Sequence, residues 1–434
     1  MLRCGVALRD ITPAHPVALH GYGSRTELSD ATCSEPIQIS CLALEAADGT
    51  RLLLVSCDMA GIEEPVSHGL YALLESEIGI SYPNIMLSCS HTHFAPGLQA
   101  CRETADFADS QIPDSVFGER FRSALVEVAK ESLTSMEPAV LEAARLAAPG
   151  AAFNRRWRRC DGSVAMNLQY PNEEQRHGLE EMPIDDELTL LRFRRQLRTA
   201  TGSEGKGDLI GCLCNYGCHP VTGGRGEGGK DEFMSISSDY IYYLRETVEA
   251  EWQCPLLFTL GAAGDTVPMR RFQESRTQLG RLLGATAVLA EAAFNTVPEP
   301  VELSAEVRQV PANLLEPVPP EQLHGRLWSS SDGKYNIRLQ LLRIGNEISM
   351  VCLPFEVLSE FARTAKAADP SAVIVTCCGG YAARARSVST CTFSLCDHLS
   401  DLMCHFYAQI RRLHAFGSRI PTGWVRGGGA QHVL

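Results

Sequence analysis

The spacing of apolar and polar residues predicts short strands separated by helices. Two apolar runs, 37–44 and 52–58, flank Asp48-Gly49, a dipeptide that favours a tight hairpin turn. The second run is apolar throughout, as expected of a strand buried on both faces, and so is the short run 85–89. Helical spacing is found at 65–78, 116–134, 239–250, 273–293 and 357–367. Because strands alternate with helices, the pattern predicts an α/β fold with mixed β-sheets layered with helices.

The pattern changes near residue 386. Residues 386–434 carry clustered Cys, His and Arg, end in a glycine-rich stretch and show little strand periodicity, although a helix over 399–414 fits the spacing. We therefore expect a single large domain over residues 1–385 and an irregular, diverged tail over 386–434.

Composition narrows the class of protein. The 434 residues are 45% hydrophobic and 21% charged, which is enough to build a large globular core. A net charge of −13 argues against binding nucleic acid through its phosphates. The sequence contains neither an apolar run of the ~18 residues that a membrane helix needs nor an apolar leader. Seventeen scattered cysteines without an export signal favour reduced thiols, so we expect a cytoplasmic protein. Composition leaves the oligomeric state open.

The run 85–89 leads directly into two histidines, His91 and His93. Side chains at i and i+2 of an extended chain share one face, so both imidazoles can point into one pocket. Pro96-Gly97 then ends the strand, and open α/β sheets bind their ligands at the carboxyl ends of strands. Imidazole is the commonest protein ligand for zinc. At this stage two polar residues that merely close a strand remain an equal alternative.

A third histidine, His219, follows the apolar strand 209–218 and precedes Pro220. Three cysteines, Cys212, Cys214 and Cys218, come before it. Strand periodicity places all three thiols on the face opposite His219, which favours small buried apolar side chains over a structural zinc cluster. His219 alone could equally be structural.

Three further polar positions have both a functional and an ordinary interpretation. Glu356 follows a strand and opens a helix, where a carboxylate commonly stabilises the helix dipole. Arg155 could bind a carbonyl oxygen beside a metal, or belong to a solvated basic face. Asp265, after a strand and a glycine-rich turn, could orient a histidine or cap a helix.

Several other catalytic patterns are missing from the sequence. There is no GxSxG nucleophile elbow and no GxGxxG after the first strand. The glycine-rich segment 223–230 lacks the GxxxxGK[ST] pattern of a phosphate-binding loop, so we interpret it as a mobile loop that could close over a substrate.

Taken together, the motifs resemble the catalytic domain of the neutral/alkaline non-lysosomal ceramidase family over roughly residues 3–383. They occur in the family's order, beginning with Asp10-Ile11-Thr12-Pro13, Gly21-Tyr22, Ser56-Cys57-Asp58 and His91-Thr92-His93-Phe94-Ala95-Pro96-Gly97. They continue with Asn154-Arg155-Arg156, Asp161-Gly162, Asn215-Tyr216-Gly217-Cys218-His219-Pro220, Ser238-Asp239-Tyr240, Gly261-Ala262-Ala263-Gly264-Asp265 and Leu353-Pro354-Phe355-Glu356. Each motif is weak alone, but their common order is specific.

The resemblance implies a zinc-dependent hydrolase that cleaves an N-acyl (amide) bond with metal-activated water, as in the conversion of ceramide to sphingosine and fatty acid. The zinc ligands it implies are His91, His219, Glu356 and Tyr381. His93 would transfer protons, Arg155 would stabilise the oxyanion, and Asp265 would fix an imidazole tautomer. The implied substrate is a small N-acyl compound, and the implied pathway is sphingolipid metabolism.

The chain departs from the family at several positions. Phe94-Ala95 replaces a Ser-Gly pair, Val267 replaces a serine, and Arg384 replaces a second tyrosine. The leader and the C-terminal immunoglobulin-like domain of secreted ceramidases are not recognised, as expected of a short cytoplasmic-type member. Two alternatives stay open: a zinc hydrolase of another small amide or ester, and a catalytically impaired relative that binds a ligand.

Overall fold

The computed structural model describes residues 1–22, 25, 27–30, 33–98, 115–198, 204–223, 232–272, 274–312, 328–329 and 335–379. The helices are α1 (Glu64–Ile78), α2 (Ser115–Thr134), α3 (Tyr240–Trp252), α4 (Ser275–Val288) and α5 (Ser359–Ala368). The strands of the first half are β1 (Arg3–Asp10), β2 (Cys33–Glu35), β3 (Gln38–Glu45), β4 (Arg51–Cys57), β5 (Ile85–Cys89), β6 (Glu137–Ala147), β7 (Ala152–Asn154), β8 (Arg156–Arg159), β9 (Val164–Met166), β10 (Leu179–Glu181) and β11 (Glu187–Arg198). Those of the second half are β12 (Glu204–Tyr216), β13 (Ile236–Ser237), β14 (Leu256–Leu260), β15 (Thr266–Pro268), β16 (Asn295–Thr296), β17 (Leu303–Ala312), β18 (Trp328–Ser329), β19 (Tyr335–Ile344), β20 (Ile348–Cys352) and β21 (Ala372–Val375).

A large mixed sheet forms the centre of the described structure. Its strand order is β14-β12-β11-β6-β1-β3-β4-β5, with β16 paired to β6. The pairs β4/β5 and β12/β14 are parallel, whereas β3/β4 and β11/β12 are antiparallel. Alternate side chains of β3 face opposite sides: Ile39 and Cys41 belong to one core, and Leu42 and Leu44 to another. This period of two shows that both faces of the sheet are buried.

A second sheet, β17-β19-β20-β21 with β18 on β19, packs against one face of the first. The core between the sheets contains Phe193 and Leu213 from the large sheet and Ile348 and Met350 from the small one. Helices α1, α2, α3 and α4 cover the other face of the large sheet, and α5 covers the outer face of the small sheet. The described residues thus form four layers, helix, sheet, sheet and helix, which confirms the predicted single α/β domain with mixed sheets.

Most predicted elements are present close to their expected positions. The hairpin is β3/β4, and Gly49 in its turn has a φ of 86°. The helix predicted over 273–293 was wrong at its carboxyl end, because α4 stops at Val288. Its buried positions end at Ala287, Leu289 is 83% exposed, and a 3₁₀ turn over Glu291–Ala293 follows in place of further α-helix. The predicted tail, 386–434, lies outside the described residues.

The two sheets meet at the carboxyl ends of their parallel strands. The amide of Thr376, just after β21, donates to the carbonyl of Leu260 at 2.8 Å. The amide of Gly379 donates to the carbonyl of Leu87 in β5 at 3.0 Å. As a result, the carboxyl ends of β5, β14 and β21 are fixed against one another where the two sheets meet. Within the described residues, none of the helices has the length and apolar content that a bilayer crossing requires.

The core between the sheets gives a first prediction. Phe193 in β11 is completely buried there, so Phe193→Ala should lower the free energy of unfolding by about 3–5 kcal/mol. Leu289→Ala is the matched control, since that side chain is 83% exposed, and its effect should stay within about 0.5 kcal/mol. Urea unfolding followed by circular dichroism measures both values. Equal losses in the two variants would contradict the assignment of Phe193 to the core.

Candidate metal centre

Three strand ends bring His91, His219 and Glu356 together. His91 follows β5, His219 follows β12 and Glu356 follows β20. One carboxylate oxygen of Glu356, Oε1, lies 3.2 Å from Nε2 of His91, and the other, Oε2, lies 2.8 Å from Nε2 of His219. Side chains that are far apart in the sequence therefore share one carboxylate.

His93 completes a group of three imidazoles. Its Nε2 lies 3.2 Å from Nε2 of His91, and the ligand atoms of His91, His93 and His219 all lie within 4.8 Å of one another. His91 and His219 are buried, and His93 is partly buried. This buried histidine group could hold a metal ion.

The second ring nitrogens distinguish the three histidines. Nδ1 of His91 lies 2.5 Å from the carbonyl oxygen of Ala60, and Nδ1 of His219 lies 2.5 Å from that of Ala263. A carbonyl can only accept, so Nδ1 carries a proton in both rings, and in the neutral form of each ring the lone pair lies on Nε2, toward the cluster. Metal-binding histidines usually have such a partner. Nδ1 of His93 is buried and has no hydrogen-bond partner among the described residues.

The backbone conformation of His91 determines the direction of its side chain. His91 has a φ of +67°, in the left-handed region that costs a non-glycine residue about 1–3 kcal/mol. Its amide donates to the carbonyl of Met59 at 2.8 Å, which holds the residue in this conformation. The turn after β5 is therefore not the extended continuation that the His-x-His spacing suggested.

A close backbone contact brings Glu356 to His219. Gly264 donates its amide to the carbonyl of Val357 at 2.8 Å. A Cβ at position 264 would lie 2.8 Å from that carbonyl oxygen, so only glycine allows the two loops to approach this closely. The contact joins the loop that follows β14 to the loop that carries the carboxylate.

The pKa values of Glu356, His91 and His93 are shifted in different directions by their surroundings in the cluster. Burial alone would raise the pKa of Glu356, but His91 and His219 outweigh it and hold this pKa well below its usual value. Burial opposes protonation of His91 as well, yet Glu356 raises its pKa well above the usual value. Burial and the neighbouring charges of His91 and His219 lower the pKa of His93 far below its usual value, so His93 is neutral at pH 7.

Arg155 lies close enough to His219 for its charge to act on the imidazole. Its amide donates to the carbonyl of Asp265 at 2.7 Å, and Nη2 donates to the carbonyl of Gly264 at 2.5 Å. Its charge contributes, after burial, to the lowered pKa of His219. Nε of Arg155 is buried and has no partner among the described residues.

No imidazole of the described residues contacts the carboxylate of Asp265, which instead holds the surrounding loops together. Its Oδ1 accepts from both the amide and the hydroxyl of Ser359 at 2.8 Å, at the start of α5. Its Oδ2 accepts from Asn154 at 2.9 Å and lies 3.8 Å from Nη1 of Arg156. The carbonyls on either side of Asp265, those of Ala263 and Thr266, lie near Nδ1 of His219. Asp265 therefore acts on His219 through the backbone.

Gly21 and Tyr22, which belong to one of the motifs, surround His93 together with Phe94 and Arg25, and no role beside His93 was predicted for any of them. Gly21 has a φ of +101°, and a Cβ there would lie 2.3 Å from Cγ of His93. The ring of Tyr22 meets the His93 ring at 4.9 Å in an edge-to-face arrangement. Arg25 lies 4.8 Å from the Tyr22 ring and 5.1 Å from that of Phe94. The loop that contains these residues has no periodicity from which their position could be predicted.

Cys377 was also missed by sequence reasoning. Its Sγ lies 3.6 Å from Nδ1 of His91, and its φ of +53° turns it toward the cluster directly after β21. Its position after a parallel strand was the available signal. Tyr381 and the glycine-rich loop after Gly223 lie outside the described residues.

Comparison with solved structures shows that the chain has the fold of neutral ceramidase. Neutral ceramidase from Pseudomonas aeruginosa matches with a TM-score of 0.68 at 18% identity, covering 98% of this chain and 76% of that chain. A ceramidase complexed with C2 matches with a TM-score of 0.67 at 17% identity, covering 98% and 77%. Neither a sequence-family model nor a curated protein matches the chain. The resemblance deduced from the motifs is thus confirmed at the level of the fold.

The contacts of Asp265 give a second prediction. Asp265→Ala should lower the free energy of unfolding by about 3 kcal/mol or more, because Arg156, Asn154 and Ser359 lose a buried carboxylate. Asp208→Ala is the control: its side chain is 96% exposed, and its effect should stay within about 0.5 kcal/mol. Urea unfolding measures both. A loss below about 1 kcal/mol for Asp265→Ala would show that Asp265 does not hold the loops.

Proposed function

We propose that this chain is a zinc-dependent hydrolase of the ceramidase class that cleaves an N-acyl (amide) bond. The observation that carries the proposal is the carboxylate of Glu356 between two imidazoles whose Nδ1 atoms meet backbone carbonyls. The fold shared with neutral ceramidase supports the same activity. The motifs that led to the resemblance contain these same residues.

The donor set fits zinc. Two imidazole nitrogens and a carboxylate are typical ligands of catalytic zinc. Nε2 of His91 and Nε2 of His219 lie 3.2 and 2.8 Å from the two oxygens of Glu356, so the three donor groups already converge and would hold the metal. Tyr381 is the proposed fourth ligand. When bound, zinc supplies a Lewis acid and makes water acidic enough to ionise near neutral pH.

His93 is the proposed proton carrier. Unlike His91 and His219, it has no carbonyl on Nδ1, so its tautomer is not fixed by the described residues. Its lowered pKa keeps it neutral, with a lone pair on one ring nitrogen, and makes it a ready proton donor once it has been protonated. Nε2, which faces His91 at 3.2 Å, would take a proton from the attacking water and return it to the leaving amine.

Arg155 is the proposed oxyanion partner. One end of its guanidinium is held by the carbonyl of Gly264, which fixes the group beside His219. Its buried Nε–H has no acceptor among the described residues. A buried donor without an acceptor is costly, and the oxygen of a tetrahedral intermediate would satisfy it. Asp265 would contribute indirectly, by holding the loop that orients His219.

The proposed substrate is a small N-acyl compound, and ceramide is its best-known representative. A role in sphingolipid metabolism follows from the same proposal, and a cytoplasmic location is proposed from the seventeen scattered cysteines. The large negative charge of the chain, −13, fits a small-molecule substrate better than a nucleic acid.

Metal content gives a third prediction. The purified protein should contain about one zinc ion per chain, and His91→Ala and His219→Ala should each lose most of it because each removes a ligand. His177→Ala is the control, since His177 is exposed and far along the chain from the cluster. Elemental analysis measures zinc, and circular dichroism confirms folding. Unchanged zinc in both ligand variants would refute the site.

The separate role of His93 gives a fourth prediction. His93→Gln should retain zinc but lower kcat for a short-chain ceramide by about 10²- to 10⁴-fold, the usual contribution of a general acid–base. Fatty-acid release and zinc content are measured on the same sample. Loss of zinc together with activity would make His93 a ligand instead. A wild type that holds zinc but hydrolyses no N-acyl substrate would favour the ligand-binding alternative.

A further inference from the structure

Asn167 lies directly opposite Arg155 on a short hairpin. Strands β8 and β9 pair antiparallel with Arg156 opposite Met166, and the amide of Asn167 donates to the carbonyl of Arg155 at 2.7 Å. The pairing therefore continues by one residue beyond the two strands. Directly opposed residues of an antiparallel pair point to the same face, with Cβ atoms roughly 4.5–5.5 Å apart. The side chains of Arg155 and Asn167 are thus neighbours on one face of the hairpin.

That face of the hairpin packs on the loops of the histidine cluster. Its next opposed pair, Trp157 and Ala165, is buried in a small core that also contains Val221 and Val267. Val221 comes two residues after His219 in the same loop. The hairpin is therefore packed against the segment that carries one of the proposed zinc ligands.

Contacts of the next residue, Leu168, connect Asn167 to the other side of the cluster. The carbonyl oxygen of Leu168 lies 3.5 Å from Nη1 of Arg271. Nη2 of the same guanidinium donates to the hydroxyl of Tyr22 at 3.2 Å, and the Tyr22 ring meets the His93 ring at 4.9 Å. Asn167 is therefore connected to the proposed proton carrier as well as to the proposed oxyanion partner.

Asn167 and Arg155 each present a buried nitrogen that has no acceptor. Nδ2 of Asn167 and Nε of Arg155 are both without a hydrogen-bond partner among the described residues. Leaving a buried donor unpaired is costly, and both of these nitrogens can only donate. Because N–H···O bonds are about 2.9 Å long, one oxygen can accept from two side chains that stand next to each other. The pair thus fits a single acceptor oxygen of a ligand.

We propose that Asn167 is a second donor to the acyl oxygen of the substrate. The inference rests on the proposed amide hydrolysis and deepens it: Arg155 supplies a charged donor and Asn167 a neutral one. The acyl oxygen is neutral in the planar amide and becomes an anion when water adds to the amide carbon. A hydrogen bond to an anion is the stronger one, so both donors bind the tetrahedral intermediate more tightly than the substrate.

The test compares a tetrahedral anion with a planar amide of similar chain length. Octylphosphonate imitates the intermediate and octanamide the substrate, and both are titrated by calorimetry into the zinc-loaded wild type and into Asn167→Ala. In the variant the Kd of octylphosphonate should rise about 10- to 100-fold, and that of octanamide by less than about tenfold. For N-octanoylethanolamine, kcat and kcat/KM should fall together by about 10²- to 10³-fold, as expected when a donor to the oxyanion is removed.

Two further variants serve as controls. Asn346→Ala should leave both Kd values unchanged, because Asn346 is exposed in the turn between β19 and β20. Asn167→Leu keeps the branched shape of the side chain without its polar atoms, so it gives the same measurement if Asn167→Ala folds poorly. Circular dichroism and zinc analysis are carried out on every sample.

An equal rise in Kd for octylphosphonate and octanamide would overturn the inference, because a residue that only supports the fold weakens both. It would also be wrong if octylphosphonate bound Asn167→Ala as tightly as the wild type, or did not bind the wild type at all. The proposed hydrolysis fails separately. A wild type that binds octylphosphonate through Asn167 but cleaves no amide would keep the two-donor oxygen site and refute the reaction.

Discussion

The buried carboxylate of Glu356 is the constraint on which the site depends. A charge removed from water is costly unless it is paired, and here its two oxygens meet one imidazole each, those of His91 and His219. That pairing requires the loops after β5, β12 and β20 to approach within hydrogen-bond distance. The two sheets satisfy the requirement by joining at their carboxyl ends, where Thr376 and Gly379 bond across to Leu260 and Leu87. The layered fold therefore determines where the carboxylate lies.

The main chain, more than a network of side chains, orients the histidines. Carbonyl oxygens of Ala60 and Ala263 meet Nδ1 of His91 and His219, so the ring direction follows the path of the loops. Asp265 stabilises one of these loops by bonding Ser359 and Asn154. A carboxylate that bonded an imidazole directly would add charge to the cluster. Acting through the backbone, Asp265 fixes geometry and leaves Glu356 as the nearest negative group.

Strand periodicity predicted the layered α/β fold and the end points of β5 and β12, so the positions of His91 and His219 followed from sequence alone. Glu356 could not be identified as a site residue from strand periodicity, because a carboxylate predicted at the start of a helix is explained by the helix dipole. Only the order of the motifs pointed to it. The left-handed turns at His91 and Cys377 were not predictable, since they are imposed by contacts with distant loops. The excess length predicted for α4 has a different reason: helical spacing continued in the sequence, but the chain leaves the α-helix after Val288 and forms a 3₁₀ turn at Glu291–Ala293.

His93 differs from the other two imidazoles in what surrounds it. His91 and His219 are fixed at both nitrogens, whereas His93 is confined by shape, between Gly21 and the edge of the Tyr22 ring. Confinement by packing positions a ring without choosing its tautomer, and the proton transfer proposed for His93 requires that freedom. The hydroxyl of Tyr22 also accepts a hydrogen bond from Arg271 at 3.2 Å. The side chain that confines His93 is therefore itself held in place at its far end.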